Sequence, residues 1–190
     1  MFVLASSSPR RQQLLSQLGY QFKSISPQVD ESVINGENVD QYVSRVAKLK
    51  GECVFELNES KEKVIIASDT IVCIDDLILQ KPDDFLQFQK NMRRLSDNWH
   101  QVKTAVFVRN KIKSQTITVC TNVKFRVLSE QEILKYWQTG EPIDKAGGYA
   151  IQGIGAGFVE SIDGSYSNVV GLPLTQTIEL LRQFDIDYLK

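Results

Sequence analysis

The stretch VIIASDTIVCI at residues 64–74 is apolar except for Ser68, Asp69 and Thr70 at its middle. A run of this length that is rich in β-branched residues predicts a buried strand near the centre of a sheet. Other predicted strands and helices alternate along the chain on both sides of this stretch. The sequence therefore predicts an α/β protein in which helices flank a mixed central β-sheet.

Hydrophobic periodicity, helix caps and turn residues define the elements around this central strand. The other predicted strands cover residues 2–5, 21–25, 77–79, 102–108 and 116–127. The predicted helices cover residues 9–18, 39–57, 130–138 and 173–184, and one more begins at Pro82. The Gly-rich stretch 147–164 has no strong helix signal.

Length and charge limit the classes of protein to which the chain can belong. Its 190 residues predict a single domain over residues 1–190. The 22 Lys and Arg residues nearly balance 23 Asp and Glu residues, so the basic surplus typical of nucleic-acid-binding proteins is missing. No window of 18 apolar residues predicts a membrane span, and the three cysteines are too far apart to predict a disulfide framework.

Residues 1–11 are the reverse of a secretory signal peptide, because their charges follow the apolar residues instead of preceding them. Together with the unpaired cysteines, this order favours a cytoplasmic protein with reduced thiols. We expect neither nucleic acid nor a membrane as a partner.

Asp69 is the sharpest chemical signal in the chain. Aspartate is depleted in strands, and a buried carboxylate is costly unless it is paired or binds a metal. Asp69 therefore either caps the end of a strand or is an active-site carboxylate. In the second case, which we favour, it could hold a divalent metal or accept a proton from water.

Ser6, Arg10 and Arg11 lie at a predicted turn from a strand into a helix. The first N–H groups of a helix attract anions, and the arginine guanidinium group suits phosphate oxygens. Arginines at the N-terminal end of a helix are disfavoured, because that end of the helix dipole is already positive. Either they are a solvated surface pair, or a bound phosphate offsets their charge.

Two lysines and one acidic residue complete the set of candidates. Lys50 continues the apolar stripe of the second predicted helix, where it either extends to an edge or pairs with an anion. Lys81 precedes a proline, and Glu31 follows Asp30 in a loop. By themselves these residues are typical of a solvated surface, although the acidic pair would also suit a metal cation.

Two other kinds of site are not predicted. Gly153, Gly155 and Gly157 form G-x-G-x-G rather than the G-x-G-x-x-G pattern of a dinucleotide-binding fold. His100 is the only histidine and stands at the start of a predicted strand, which favours a structural role. With a single histidine and no cysteine cluster, a zinc enzyme is not expected.

Taken in order, these motifs resemble those of the Maf family of nucleoside triphosphate pyrophosphatases, over nearly the whole chain. The matching segments are LASSSPRR at 4–11, Asp30-Glu31, SDT at 68–70, Lys81-Pro82, KAGGYAIQG at 145–153 and GSYSNVVGLPL at 164–174. The resemblance implies a Maf/ITPase-like fold with a cleft between two lobes. It also implies a homodimer and hydrolysis of a nucleoside triphosphate between the α and β phosphates.

The resemblance further implies roles for individual residues. Asp69 matches the proton acceptor, and together with Glu31 it would hold a divalent cation such as Mg, Mn or Co. The remaining matches form the phosphate-facing set, namely Ser6, Arg10, Arg11, Lys50 and Lys81.

Arg10, Thr70 and Gln152 match the branch of the family that acts on dTTP and UTP. An amide both donates and accepts hydrogen bonds, so Gln152 could read the edge of uracil or thymine. Two alternatives stay open: a pyrophosphatase for modified nucleotides, and a non-catalytic nucleotide sensor that regulates cell division. Gly51 and Asp97 depart from the family pattern, and we expect them to affect only local packing.

Overall fold

The computed structural model describes residues 1–57 and 63–188. Its strands are β1 (Phe2–Ala5), β2 (Phe22–Ile25), β3 (Ile65–Ile74), β4 (Leu77–Leu79), β5 (Trp99–Arg109), β6 (Ser114–Phe125) and β7 (Val159–Asp163). Its helices are α1 (Pro9–Gln17), α2 (Val39–Phe55), α3 (Phe85–Leu95), α4 (Glu130–Gln138), α5 (Tyr166–Val170) and α6 (Leu174–Arg182). Two short 3-10 turns cover Ala146–Gly148 and Ile154–Phe158.

The strands form one mixed sheet in the order β2-β1-β3-β5-β6-β7, and β4 also pairs with β3. β1 pairs in parallel with both β2 and β3, whereas β4 is antiparallel to β3 and β7 is antiparallel to β6. The predicted α/β class and the central position of residues 64–74 are confirmed. The cleft implied by the resemblance stays a prediction.

The register of the parallel strands determines which side chains come together. Ala5 at the end of β1 is paired with Ala67 of β3 and with Ile25 at the end of β2. The residues that follow these three positions therefore lie at the same level of the sheet, although β3 continues beyond Ala67 while β1 and β2 end there. Ser6 follows β1, the loop that contains Glu31 follows β2, and Asp69 lies two residues beyond Ala67.

The chain folds into two compact units, each assembled from separate segments. The first unit consists of Met1–Asp69, Thr104–Val119 and Gly171–Lys190, and the second consists of Thr70–Lys103 and Cys120–Val170. In the first unit, Leu15, Val43, Val46 and Ile66 are completely buried. The core of the second unit combines aliphatic side chains with five aromatic ones, namely Phe88, Phe125, Tyr136, Tyr149 and Phe158.

Local sequence signals explain where most of the helices begin. The Asn38 side chain accepts a hydrogen bond from the Gln41 N–H, and the Gln41 side chain accepts one from the Asn38 N–H, so α2 starts with a complete capping box. Ser129 and Glu132 start α4 in the same way. α1 begins at Pro9 as expected, although the Ser8 side chain makes no capping hydrogen bond.

One expectation about the elements is wrong, and two short elements are not predicted. The third helix does not begin at Pro82 but at Phe85, because the Asp84 carboxylate accepts a hydrogen bond from the Gln87 N–H and caps it there. The Gly-rich stretch contains strand β7, and the short helix α5 follows it. Neither has a long apolar pattern: β7 reads VESID, and α5 has only five residues.

The two departures from the family pattern have local explanations. A Cβ atom at Gly51 would lie 2.3 Å from Cδ1 of Phe107, so the aromatic ring fills the space that an alanine methyl group would need. Asp97 has a φ of 53°, in the left-handed region that favours glycine. Its carboxylate accepts a hydrogen bond from Lys124 at 2.9 Å. None of the described helices is long and apolar enough to span a lipid bilayer.

Candidate active site

The centre of the candidate site is an ammonium group held by two carboxylates. Nζ of Lys50 lies 2.7 Å from Oδ1 of Asp69 and 3.0 Å from Oε2 of Glu31. Lys50 is 8% exposed and Asp69 is 6% exposed. Lys50 therefore does not extend to a solvated edge: it points inward from α2 and pairs with the carboxylate of β3.

This pairing explains how Asp69 is tolerated in a central strand. An isolated charge in such a position would be strongly disfavoured, whereas a hydrogen-bonded ion pair recovers much of the lost solvation. Asp69 lies within β3, with four residues before it and five after it, so it does not cap a strand end. The interpretation as a capping aspartate is wrong.

Arg11 and Ser6 lie in the same unit and contact each other. Arg11 donates from Nη1 to Oγ of Ser6 at 3.4 Å and from Nε to the carbonyl oxygen of Gly171 at 2.9 Å. Oγ of Ser6 also accepts from the N–H of Ser8 at 3.1 Å. The side chain that starts the turn is therefore used to shape the loop that leads into α1.

The charges around Arg11 connect it to the carboxylates. Burial lowers the pKa of Arg11, the carboxylate of Asp69 raises it, Arg10 lowers it, and Glu31 raises it. A guanidinium group stays protonated despite such shifts. Arg11 is thus a half-buried cation close enough to the Lys50 cluster to interact with its charges.

Arg10 has a different environment from Arg11. It is half-buried, and burial lowers its pKa. Among the described residues, no acidic side chain pairs with Arg10. Arg10 thus adds a third positive charge to those of Arg11 and Lys50, and a concentration of positive charge favours binding of an anion.

The loop that contains Glu31 is attached to α2 by two side chains. Tyr42 donates its hydroxyl to the carbonyl oxygen of Glu31 at 2.9 Å. Arg45 donates to the carbonyl oxygen of Ser32 at 2.9 Å and forms an ion pair with Glu37 at 2.6 Å. The neighbouring carboxylate of Asp30 accepts the N–H of Ser32 and is exposed, so only Glu31 of the acidic pair contacts Lys50.

The pKa of Tyr42 is affected by the charges of the site. Burial, followed by the charges of Asp69 and Glu31, raises the pKa of Tyr42 to about 12. The phenol is therefore protonated at neutral pH and can act as a donor to the Glu31 loop. The same helix thus provides Lys50 and the hydrogen bond that holds its second carboxylate.

The donor set fits a divalent cation that keeps part of its water shell. Oxygens from Asp69 and Glu31 already converge on one positive charge, the ammonium group of Lys50. Magnesium is commonly held by one or two carboxylates, with water and substrate phosphates as the other ligands. Within residues 1–57 and 63–188 there is no cluster of three or more acidic, histidine or cysteine side chains that would enclose a metal entirely.

Three predicted residues belong to the second unit. Thr70 follows Asp69 in β3 and is half-buried, and Lys81 and Gln152 are exposed. The structure thus brings together Ser6, Arg11, Glu31, Lys50 and Asp69 within the first unit. The roles expected for Thr70, Lys81 and Gln152 stay predictions.

His100 lies in the core of the second unit. It is 2% exposed, and its Nε2 is 2.8 Å from the hydroxyl of Tyr149. Burial lowers the pKa of His100 to about 3, so the ring is neutral at physiological pH. A neutral, enclosed histidine packed against Phe125 and Tyr149 agrees with the structural role that the sequence favours.

Sequence reasoning misses three groups that build the first-unit site. The carbonyl oxygen of Gly171 accepts from Arg11 and, at 3.4 Å, from Oγ of Ser68, and Tyr42 and Arg45 hold the Glu31 loop. Gly171 has a φ of 124° and precedes Leu172-Pro173, so its conformation is detectable as a turn signal. No local sequence pattern shows which distant side chain donates a hydrogen bond to the Gly171 carbonyl oxygen.

Comparisons with known proteins show the family to which the chain is similar. Residues 1–184 match the family model described as Maf-like protein. The chain is 47% identical over 182 residues to a dTTP/UTP pyrophosphatase of Vibrio vulnificus (strain YJ016), covering 96% of this chain and 97% of the relative. It is 50% identical over 184 residues to a dTTP/UTP pyrophosphatase of Aliivibrio fischeri, covering 95% and 96%, and 48% identical over 182 residues to one of Vibrio cholerae, covering 96% and 97%.

Proposed function

The chain belongs to the Maf family, and we propose that it hydrolyses dTTP and UTP between the α and β phosphates, releasing the nucleoside monophosphate and pyrophosphate. Relatives named dTTP/UTP pyrophosphatase share close to half of its residues over nearly its full length. One structural observation carries the proposal: a buried lysine bridges two carboxylates near a half-buried arginine.

The cations of the first unit suit a polyphosphate. Arg10 and Arg11 bind phosphate oxygens, and Lys50 neutralises charge that develops on them during the reaction. Electrostatic stabilisation of this kind is the main catalytic demand in phosphoryl transfer. Lys81, which matches the phosphate-facing set of the family, adds a fourth positive charge to this role.

Asp69 acts as the proton acceptor. Lys50 donates to Oδ1, and a carboxylate has about four acceptor positions on its two oxygens, so Asp69 can also accept a hydrogen bond from water. The water oxygen attacks a phosphorus atom of the α–β anhydride, and its proton passes to Asp69. The bond between that phosphorus and the bridging oxygen breaks, which releases the nucleoside monophosphate and pyrophosphate. Lys50 fixes the carboxylate in position through this hydrogen bond.

Asp69 and Glu31 are the residues that would hold a divalent cation such as Mg, Mn or Co. When bound, such a cation neutralises phosphate charge and orients the leaving group. Gln152 and Thr70 contact the base in this proposal, with the Gln152 amide pairing with the O4 and N3–H groups of uracil or thymine. We also propose that the protein is a homodimer in the cytoplasm and that it uses neither nucleic acid nor a membrane as a partner.

A panel of nucleoside triphosphates with pyrophosphate detection tests the substrate class. We expect turnover of dTTP and UTP with Mg²⁺, a much lower kcat/KM for purine nucleotides, and no turnover after chelation of the metal. A preference for modified nucleotides would support the first alternative. Tight dTTP binding without pyrophosphate release would support the sensor and contradict the enzymatic proposal.

The metal role of Glu31 is tested against its neighbour. Glu31→Gln removes a carboxylate that contacts Lys50, whereas Asp30→Asn changes an exposed carboxylate that accepts the Ser32 N–H. We expect Glu31→Gln to raise the Mg²⁺ concentration for half-maximal turnover by about tenfold or more, the scale found when support for a metal site is lost. An equal requirement for Mg²⁺ in both variants would remove Glu31 from the metal site.

A further inference from the structure

Gln152 is exposed and stands in irregular backbone, between Ile151 and the 3-10 turn that begins at Ile154. A side chain that reads a base edge through hydrogen bonds has to be held in place, because displacement of about 1 Å can cost up to ~10²-fold in rate. The backbone around Gln152 therefore needs a rigid support. We call residues 150–155 the Gln152 loop.

Two side chains provide that support. The hydroxyl of Tyr136 donates to Oε1 of Glu141 at 2.8 Å and accepts from the N–H of Ala150 at 3.1 Å. The Glu141 carboxylate accepts from the N–H of Ile154 at 2.9 Å and from that of Gly155 at 3.0 Å. These three amides lie on both sides of Gln152 along the chain, so one connected pair holds both ends of the loop.

The pair is itself anchored in the second unit. Tyr136 comes from α4, is 2% exposed, and packs edge-on against Phe158 with 4.8 Å between the ring centroids. Glu141 follows α4 after a short turn and is half-buried. The loop is thus attached to helix α4 through Tyr136 and to the turn that follows this helix through Glu141.

The glycines around Gln152 fit closely against this pair. A Cβ atom at Gly153 would lie 2.5 Å from Oε2 of Glu141, and one at Gly155 would lie 2.6 Å from the hydroxyl of Tyr136. A Cβ atom at Gly157, by contrast, would meet no atom within 4 Å. The first two glycines of the G-x-G-x-G motif are therefore explained by the close approach of a tyrosine and a glutamate.

The electrostatics keep both groups in the required protonation states. Burial raises the pKa of Glu141, but hydrogen bonds from Gly155, Ile154 and Tyr136 lower it by more, and the result is below its usual range. Burial is the main cause that raises the pKa of Tyr136. At neutral pH the charged Glu141 carboxylate accepts from the loop amides and from the neutral Tyr136 phenol, whose oxygen accepts from the N–H of Ala150.

We propose that Tyr136 and Glu141 are positioning residues that hold the Gln152 loop and thereby determine the base selectivity of the enzyme. The inference rests on the proposed function, since it assigns the support of the residue that reads the base. Neither side chain touches the substrate in this proposal. Both act through the backbone amides of Ala150, Ile154 and Gly155.

Three variants of the full-length protein test this proposal. Tyr136→Phe removes only the hydroxyl and keeps the ring that packs on Phe158, Glu141→Gln removes the charge, and Gly155→Ala forces the loop away from Tyr136. Gly157→Ala is the matched control, because its added methyl group enters open space. Amide hydrogen exchange and steady-state kinetics with dTTP and dCTP are measured for each.

We expect the amides of Ala150, Ile154 and Gly155 to exchange about tenfold faster or more in the three variants, because each change removes or weakens hydrogen bonds that hold the loop. The kcat/KM preference for dTTP over dCTP should fall by about tenfold or more, mainly through a higher KM for dTTP. Adding Gln152→Ala to Glu141→Gln should reduce the preference little further, since both changes remove the same discrimination. Gly157→Ala should match wild type in both measurements.

Two results would overturn the proposal. One is unchanged exchange at the three amides, which would show that the pair does not hold the loop. The other is a loop that exchanges faster while the dTTP/dCTP preference stays at the wild-type value. If wild type itself does not hydrolyse dTTP or UTP, the proposed function fails instead, and that result is read before any variant is compared.

Discussion

The two units of this protein bury polar groups in opposite ways. In the first unit, Lys50 and Asp69 are buried as charges, and nearby Arg10 has no acidic partner among the described residues. In the second unit, His100 is buried neutral in an aromatic core, and Tyr136 is paired with Glu141 through a hydrogen bond. Charges that remain unbalanced in a protein interior suit a charged ligand, whereas neutral or fully paired groups suit a supporting structure.

The strongest test of this contrast is removal of the Lys50 charge. Lys50→Met keeps the length of the side chain but leaves the buried Asp69 carboxylate without its cation, and we expect the free energy of unfolding to fall by about 3 kcal/mol. Lys48→Met changes an exposed lysine on the same helix. It should alter the free energy of unfolding by no more than about 0.5 kcal/mol. Chemical denaturation measures both. Equal stabilities would mean that the Lys50–Asp69 pair is not held as an internal charge pair.

A second test concerns the apolar packing around the charged cluster. Gly51→Ala adds a methyl group where the Phe107 ring lies, so we expect a loss of about 2 kcal/mol from overpacking. Phe107→Leu should restore part of that loss when it is combined with Gly51→Ala, because the smaller side chain opens the space. If the two changes are simply additive in denaturation experiments, Phe107 does not explain the glycine.

The neutral histidine of the second unit gives a pH-dependent test. The pKa of His100 is about 3 in the folded protein and about 6.5 in an unfolded chain, so the unfolded chain binds the proton more readily and stability falls as the pH falls. Between pH 7 and pH 5.5 this group alone should cost about 1 kcal/mol of unfolding free energy. His100→Gln keeps a hydrogen-bonding group near Tyr149 but does not titrate, so its stability should depend less on pH over this range. An unchanged slope would show that His100 is not buried in its neutral form.

The sequence predicts the elements better than the contacts between them. The pattern of residues 64–74 identifies β3, and the misplaced charges of Lys50 and Asp69 identify the centre of the site, because both signals are local. The predicted start of α3 at Pro82 is wrong because the Asp84 side chain caps the helix two residues later. Strand β7 is not predicted because its sequence is short and polar.

The parts of the site that sequence reasoning misses depend on distant contacts. The Gly171 carbonyl accepts a hydrogen bond from Arg11 across 160 positions of the chain, and Tyr42 reaches the Glu31 carbonyl from a helix. Glycine and tyrosine are common in cores and turns, so their residue types alone do not reveal these roles. Their positions follow from the strand register and the path of the loops, which only the folded structure shows.

The most direct test of the account is the rate of pyrophosphate release from dTTP by Asp69→Asn. Asparagine has nearly the same shape but accepts a proton far less readily, and it cannot neutralise Lys50. We expect kcat to fall by at least about 10²-fold, the scale for loss of a positioned acid or base, while the circular dichroism spectrum stays that of wild type. A folded Asp69→Asn protein with wild-type kcat would contradict the assignment of the Lys50–Asp69 cluster as the catalytic centre.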